Sequence, residues 1–202
     1  MKDFGLYLVV TSPRTGYLRC CEDAVRAGVK IVQLRMKDAE RELVLKTACQ
    51  MRAVTRGTGT LFIVNDDPEI AVASEADGVH VGQDDISVAE VRARFPELKI
   101  VGLSTHSLEQ AAAAVGQRPD YIGVGPVWRT PTKKIPDPVL GVERAVQMIN
   151  SVPFPAVAIG GIDRTRLPEL MAAGVRNYAV VRAVCDSDDP YRAIMALRSG
   201  QV

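Results

Sequence analysis

The sequence predicts an α/β fold, a single (β/α)8 barrel of the TIM type occupying 1–202, with its working face at the C-terminal ends of the strands. Three observations predict it. Short apolar, β-branched segments recur roughly every 25 residues along the whole chain. Each is followed by a helical pattern, the alternation that parallel strands joined by crossover helices require. No run rich in Ser, Gly or Pro interrupts that alternation, so there is no room for a second domain.

The elements follow in order. Phe4 to Val10 is too short for a membrane span and runs into Ser12-Pro13-Arg14 and Gly16 instead of a small-residue cleavage site, so it reads as a buried first strand. Gly28 stands where a helix must stop and the chain turn back, and Lys30 to Leu34 is the second strand. Val44, Ala48 and Met51 recur at helical spacing before the third strand, Leu61 to Val64. Asp67-Pro68 then puts a cap residue before a first-turn proline. Gly78 to Val81 is the fourth strand, and Ser87 with Glu90 forms a capping box after it. Lys99 to Leu103 is the fifth, followed by a second box, Ser107 with Gln110, and by Gly116 as the stop. Tyr121 to Val124, Ala156 to Ile159 and Tyr178 to Val181 complete the set, with Gly174 ending one helix and Asp189-Pro190 opening the last. An open doubly wound sheet is the alternative fold. It usually carries a glycine-rich loop after its first strand, whereas this loop reads Thr11-Ser12-Pro13-Arg14-Thr15-Gly16.

Composition bounds the function. A chain with 47% apolar and 24% charged residues can bury a large core, and a formal charge of +1 supplies no global field for nucleic acid or anionic membrane. Neither partner is expected; a homo-oligomer is left open. The four cysteines, Cys20, Cys21, Cys49 and Cys185, show no metal-type spacing, and an adjacent pair is a poor start for a disulfide framework, so a reducing cytoplasm is expected.

Polar residues gather where a barrel of this kind does chemistry. In Gln33-Leu34-Arg35-Met36-Lys37 the alternation puts Gln33, Arg35 and Lys37 on one face, and two inward cations call for an anion. Asn65 and Asp66 end the third strand, Gln83 and Asp85 follow the fourth, and Ser104 and His106 follow the fifth. The sixth leads through Gly125-Pro126 into Thr130-Pro131-Thr132-Lys133-Lys134, whose hydroxyls, backbone donors and cations suit phosphate. The seventh ends at Gly160-Gly161, where backbone N–H groups can approach a ligand, and the eighth at Arg182. Asp66 and Asp85 are candidate metal ligands, because Mg2+ on a pyrophosphate takes one or two carboxylates and fills its other positions with phosphate and water. Helix capping is the competing role, but Asp67 and Ser87 are the better caps. Arg35 and Lys37 could instead pair with an acidic residue at the mouth. His80, inside a strand, reads as a satisfied core histidine. Cys185 reads as packing, and Trp128 as an entrance residue or a loop anchor.

The order and spacing of these segments resemble the thiamine phosphate synthase family from the first strand to the last helix. The resemblance is carried by Gln33, Arg35 and Lys37; by Asn65-Asp66; and by Asp77-Gly78-Val79-His80-Val81-Gly82-Gln83-Asp84-Asp85. It continues through Gly102-Leu103-Ser104-Thr105-His106, Gly123-Val124-Gly125-Pro126, the threonine-lysine loop and Ile159-Gly160-Gly161-Ile162. It implies a transferase that joins a hydroxymethylpyrimidine pyrophosphate to a thiazole monophosphate and releases pyrophosphate. By that resemblance Asp66 and Asp85 hold Mg2+, and Arg35, Lys37, Asn65 and Lys133 neutralise the leaving group. Gln33 and Ser104 orient the pyrimidine and the leaving group, and Thr130, Thr132, Gly161, Val181 and Arg182 hold the thiazole phosphate. Two positions depart from the family pattern. Met36 replaces a frequent glutamate but faces away from the mouth, and Arg182 replaces a common serine. The rivals are a thiazole tautomerase of the same barrel, with a histidine at the position of His106 as acid-base group, and a non-catalytic barrel that binds thiamine precursors.

Overall fold

The computed structural model describes residues 3–132 and 137–198. Its strands are β1 (Leu6–Val10), β2 (Ile31–Leu34), β3 (Leu61–Asn65), β4 (Gly78–Val81), β5 (Ile100–Thr105), β6 (Tyr121–Val124), β7 (Ala156–Ile159) and β8 (Tyr178–Val180). They pair in parallel and in sequence order, and β8 returns to β1, closing the barrel. The helices are α1 (Tyr17–Arg26), α2 (Arg41–Thr55), α3 (Pro68–Ala73), α4 (Val88–Arg94), α5 (Leu108–Gln117), α6 (Gly141–Asn150), α7 (Leu167–Ala172), α8 (Arg182–Cys185) and α9 (Pro190–Arg198). None of the described helices is long and apolar enough to cross a membrane.

Strand alternation divides the apolar residues between two cores. One face of each strand, including Leu8, Val32, Phe62, Val79, Val101 and Ile122, packs outward against the helices. The other faces the barrel axis, where Tyr7, Val9, Ile31, Ile63, Tyr121, Val157 and Ala179 form a second cluster. Closure leaves little room on that axis. Gly78 and Gly102 occupy inward positions because a Cβ at Gly78 would lie 2.1 Å from the Ile100 carbonyl oxygen, and one at Gly102 2.3 Å from Tyr121 Cζ.

The helix signals work with two corrections. Asp67 accepts from Ile70 N and caps α3, and Ser87 and Glu90 make the full box on α4. At α5, Ser107 accepts from Gln110 N, but the Gln110 side chain reaches one residue further back to His106 N, at 2.7 Å. Gly116 lies inside α5, and Arg118 supplies the left-handed residue that ends the helix (φ 54°). Gly28 and Gly174 are left-handed turns as expected. All four cysteines are free thiols, three of them buried.

At the N-terminal end of the barrel, side chains just before three even-numbered strands pin a neighbouring strand. Asp77 accepts from Phe62 N at 2.8 Å, Asp120 from Val101 N at 2.7 Å, and Asn177 from Phe4 N at 2.9 Å. Arg52 and Arg92 pair with the two aspartates, at 3.0 and 2.8 Å. These bonds satisfy N–H groups at the start of β3 and β5 and just before β1 that the strand ladders leave unpaired. Asp77→Ala strands both Phe62 N–H and the partly buried Arg52, so it should lower unfolding free energy by about 2 kcal/mol in urea denaturation.

Candidate active site

One cavity of about 750 Å3 opens at the C-terminal ends of the strands. It is lined by Gln33, Arg35, Lys37, Asn65, Asp66, Asp85, Ser104, Thr130, Thr132, Gly161, Val181 and Arg182, the described members of the set expected from sequence. Lys133 lies outside the described residues. Segments as far apart in sequence as β2 and α8 therefore meet at one mouth.

Each group arrives there for a local reason. Gln33 is the last inward residue of β2 and is buried, while Arg35 and Lys37 continue the same parity beyond the strand. Leu34 and Met36 turn outward into the helix-facing core, as the alternation predicts. Asp66 follows β3 in a left-handed conformation (φ 64°), held by donation from its N–H to the His80 carbonyl at 2.8 Å. Asp67 takes the cap of α3 and Ser87 that of α4, so neither capping role falls on Asp66 or Asp85. Asp85 is fixed by accepting from Gly82 N at 2.7 Å.

The electrostatics of this wall are asymmetric. Lys37 Nζ is paired with Asp66, so the ion-pair reading of that lysine holds. Arg35 has no ion-pair partner among the described residues. The Asp85 carboxyl titrates above its ordinary range. The mouth strips part of its hydration, and the Asp66 carboxylate beside it opposes a second negative charge, against the opposing pull of Gly82 N–H and Lys37. Asp66 and Asp85 are two adjacent carboxyl groups that could together hold a hard divalent cation, whose charge would oppose their mutual repulsion. Among the described residues no larger cluster of His, Cys, Asp and Glu assembles.

The loops after β6, β7 and β8 bring hydroxyls and glycines to the mouth, beside Arg129, Arg166 and Arg182. Thr130 and Thr132 join through their hydroxyls at 3.0 Å. Gly160 and Gly161 are both left-handed, and a Cβ on them would strike Pro126 and Trp128 at 2.6 and 2.8 Å. The loop after β6 thus lies directly against the end of β7, tied by Trp128 N donating to the Gly160 carbonyl. Trp128 packs against the core and lies outside the cavity lining, which makes it the loop anchor. The Arg182 guanidinium turns to Asp186 on its own helix, at 2.8 Å. His106 Nδ1 donates to the Gly125 carbonyl at 2.6 Å, leaving Nε2 3.7 Å from Asp137. Cys185 is buried with its thiol on the Val9 carbonyl, a packing role.

Sequence reasoning missed the cavity floor. His80 is satisfied, as expected of a core histidine, yet it lines the cavity between Tyr121 OH (3.0 Å) and Ser104 Oγ (2.9 Å). Tyr7 and Tyr121 lie beneath it, both fully buried, and burial raises both phenols so that they stay protonated. The available signal was parity: a tyrosine at an inward barrel position must find a partner for its hydroxyl.

Residues 6–184 match the model of the family described as thiamine monophosphate synthase. The chain is 46% identical over 187 residues to the thiamine-phosphate synthase of Gloeobacter violaceus, covering 93% of this chain and 54% of that protein. It is 44% identical over 201 residues to the thiamine-phosphate synthase of Thermus thermophilus, covering 96% and 95%. The chain thus spans about half the length of some of the curated relatives it matches and nearly all of others. Among solved structures, thiamine phosphate pyrophosphorylase from Pyrococcus furiosus superposes with a TM-score of 0.89 at 32% identity, over 98% of this chain and 95% of that one.

The state of Asp85 makes a stability prediction. Its native pKa is raised, so native protein binds more protons than unfolded chain between the ordinary carboxyl value and the native one, and stability falls as pH rises through that window. Asp85→Asn removes this penalty while keeping an oxygen to accept from Gly82 N. In EDTA the variant should melt at or above the parent temperature at neutral pH, and the difference should shrink once pH falls below the ordinary carboxyl range.

Proposed function

The chain belongs to the thiamine monophosphate synthase family, and we propose that it joins a hydroxymethylpyrimidine pyrophosphate to a thiazole monophosphate, giving thiamine phosphate and pyrophosphate. The observation that carries this reading is the meeting, at one mouth, of a charged wall built for pyrophosphate with a hydroxyl and glycine wall suited to a second phosphate.

On the charged wall, Arg35, Lys37 and Asn65 bind the pyrophosphate oxygens, with Lys133 as a further cation from the loop. Asp66 and Asp85 would hold Mg2+, which when bound supplies charge neutralisation to the same oxygens. Lys37, paired with Asp66, would exchange that carboxylate for the oxygens of the bound pyrophosphate and so serve the leaving group. As the bond from the methylene carbon to the pyrophosphate oxygen breaks, both bonding electrons leave with the oxygen, where Arg35 and Lys37 stabilise the developing charge. The carbon becomes a cation delocalised into the pyrimidine ring. Gln33 and Ser104 orient that ring and the leaving group. Thr130, Thr132, Gly161, Val181 and Arg182 hold the thiazole phosphate so that the thiazole nitrogen faces the carbon and forms the new C–N bond. Position and charge carry the rate, and no covalent bond to the enzyme is needed.

Incubation of purified protein with both substrates and Mg2+ tests the reading. Thiamine phosphate formed only when the pyrophosphate substrate is present supports it. Thiazole isomerisation alone would favour the tautomerase reading of His106, and neither activity would favour a binding barrel. Asp66→Asn is the sharper probe, because Asn tolerates the left-handed backbone of Asp66. It should lower kcat by on the order of 100-fold, as loss of a transition-state electrostatic group does, with little change in melting temperature.

A further inference from the structure

At the floor of the cavity, five side chains from five strands form one unbroken chain of hydrogen bonds. Gln33 Nε2 donates to the Tyr7 hydroxyl at 2.6 Å; Tyr7 and Tyr121 hydroxyls meet at 2.9 Å; Tyr121 OH meets His80 Nδ1 at 3.0 Å; and His80 Nε2 meets Ser104 Oγ at 2.9 Å. The rings are stacked to match, with Tyr7 and Tyr121 edge to face at 5.9 Å and His80 tilted over Tyr121 at 5.4 Å. Gly102 clears the path, since a Cβ there would lie 2.5 Å from both His80 Nδ1 and the Tyr121 oxygen.

This chain has a direction. An amide nitrogen only donates, so Tyr7 oxygen accepts from Gln33 and its own proton must go on to Tyr121. The reverse order would leave the Tyr7 proton buried without an acceptor, which is costly. Tyr121 then donates to His80 Nδ1, the imidazole carries its proton on Nε2, and Nε2–H donates to Ser104 Oγ. The serine's own proton is left to point into the cavity. Its oxygen has no other partner among the described residues.

We propose that Tyr7 and Tyr121 are positioning residues that, through this directed chain, hold His80 as the Nε2–H tautomer and present Ser104 as a hydroxyl donor to the pyrophosphate-bearing substrate. The identity of that substrate rests on the synthase reading; the polarity of the chain does not. A serine free to rotate would offer either a proton or a lone pair to an approaching ligand. One whose lone pair is already engaged by imidazole offers the proton, which suits an anionic oxygen and not a cation.

Imidazole nitrogen NMR on the ligand-free protein reads the tautomer directly. The chain has two histidines, so His106→Gln assigns the signals. Wild type should show a bare Nδ1 and a protonated Nε2 on His80, and Tyr121→Phe should shift both signals toward a tautomer mixture. Steady-state kinetics supply the second arm. Tyr121→Phe and Ser104→Ala should each lower kcat/KM for the pyrimidine pyrophosphate by about tenfold, the worth of one good hydrogen bond, with KM for the thiazole phosphate unchanged. The double variant should be no worse than Ser104→Ala alone, because both act through the same proton. A protonated Nδ1 in wild type, a tautomer indifferent to Tyr121→Phe, or fully additive losses would overturn the proposal. The expected tautomer in a protein that forms no thiamine phosphate would keep the chain's polarity and overturn the substrate instead.

Discussion

Closure of the sheet is the constraint from which the rest follows. Eight parallel strands rolled into a ring leave an axis so narrow that inward side chains must share it, and the sequence meets this by setting Gly78 and Gly102 beside Ile100 and Tyr121. Polar side chains on that axis have two options. Those at the upper strand ends reach solvent at the mouth, and those below must satisfy each other. Gln33, His80 and Ser104 do both, since each lines the cavity and is also bonded into the hydrogen-bond chain at its floor.

The mouth carries electrostatic tension. Two carboxylates stand together, one resists ionisation, and a lysine is drawn onto the other. Holding one charge away from another in this way costs the fold stability.

Much of this was legible in the sequence because parity and capping are local. The alternation through Gln33, Arg35 and Lys37 follows from the pleat alone, and the placement of Asp66 and Asp85 from the better caps beside them. Strand limits were legible to within one or two residues for the same reason. What could not be read was pairing across the barrel. Nothing near Tyr7 in sequence announces Tyr121, 114 residues away, and a strand histidine looks the same whether its partners are inert or functional. The helix end at Arg118 was missed because a nearby glycine is the usual stop, whereas here a non-glycine residue takes the left-handed turn. Arg182 in sequence suggested a phosphate grip; its guanidinium is engaged by Asp186, a neighbour one helical turn away.

The aspartate and asparagine pins at the opposite end of the barrel have a bearing on how such a protein can change over generations. Asp77, Asp120 and Asn177 fasten strands well away from the cavity, so cohesion of the frame is largely divorced from the identity of the rim. Substitutions along the upper loops can then be sampled one at a time without unravelling the scaffold, and new chemistry can be tried on a frame that tolerates failed attempts.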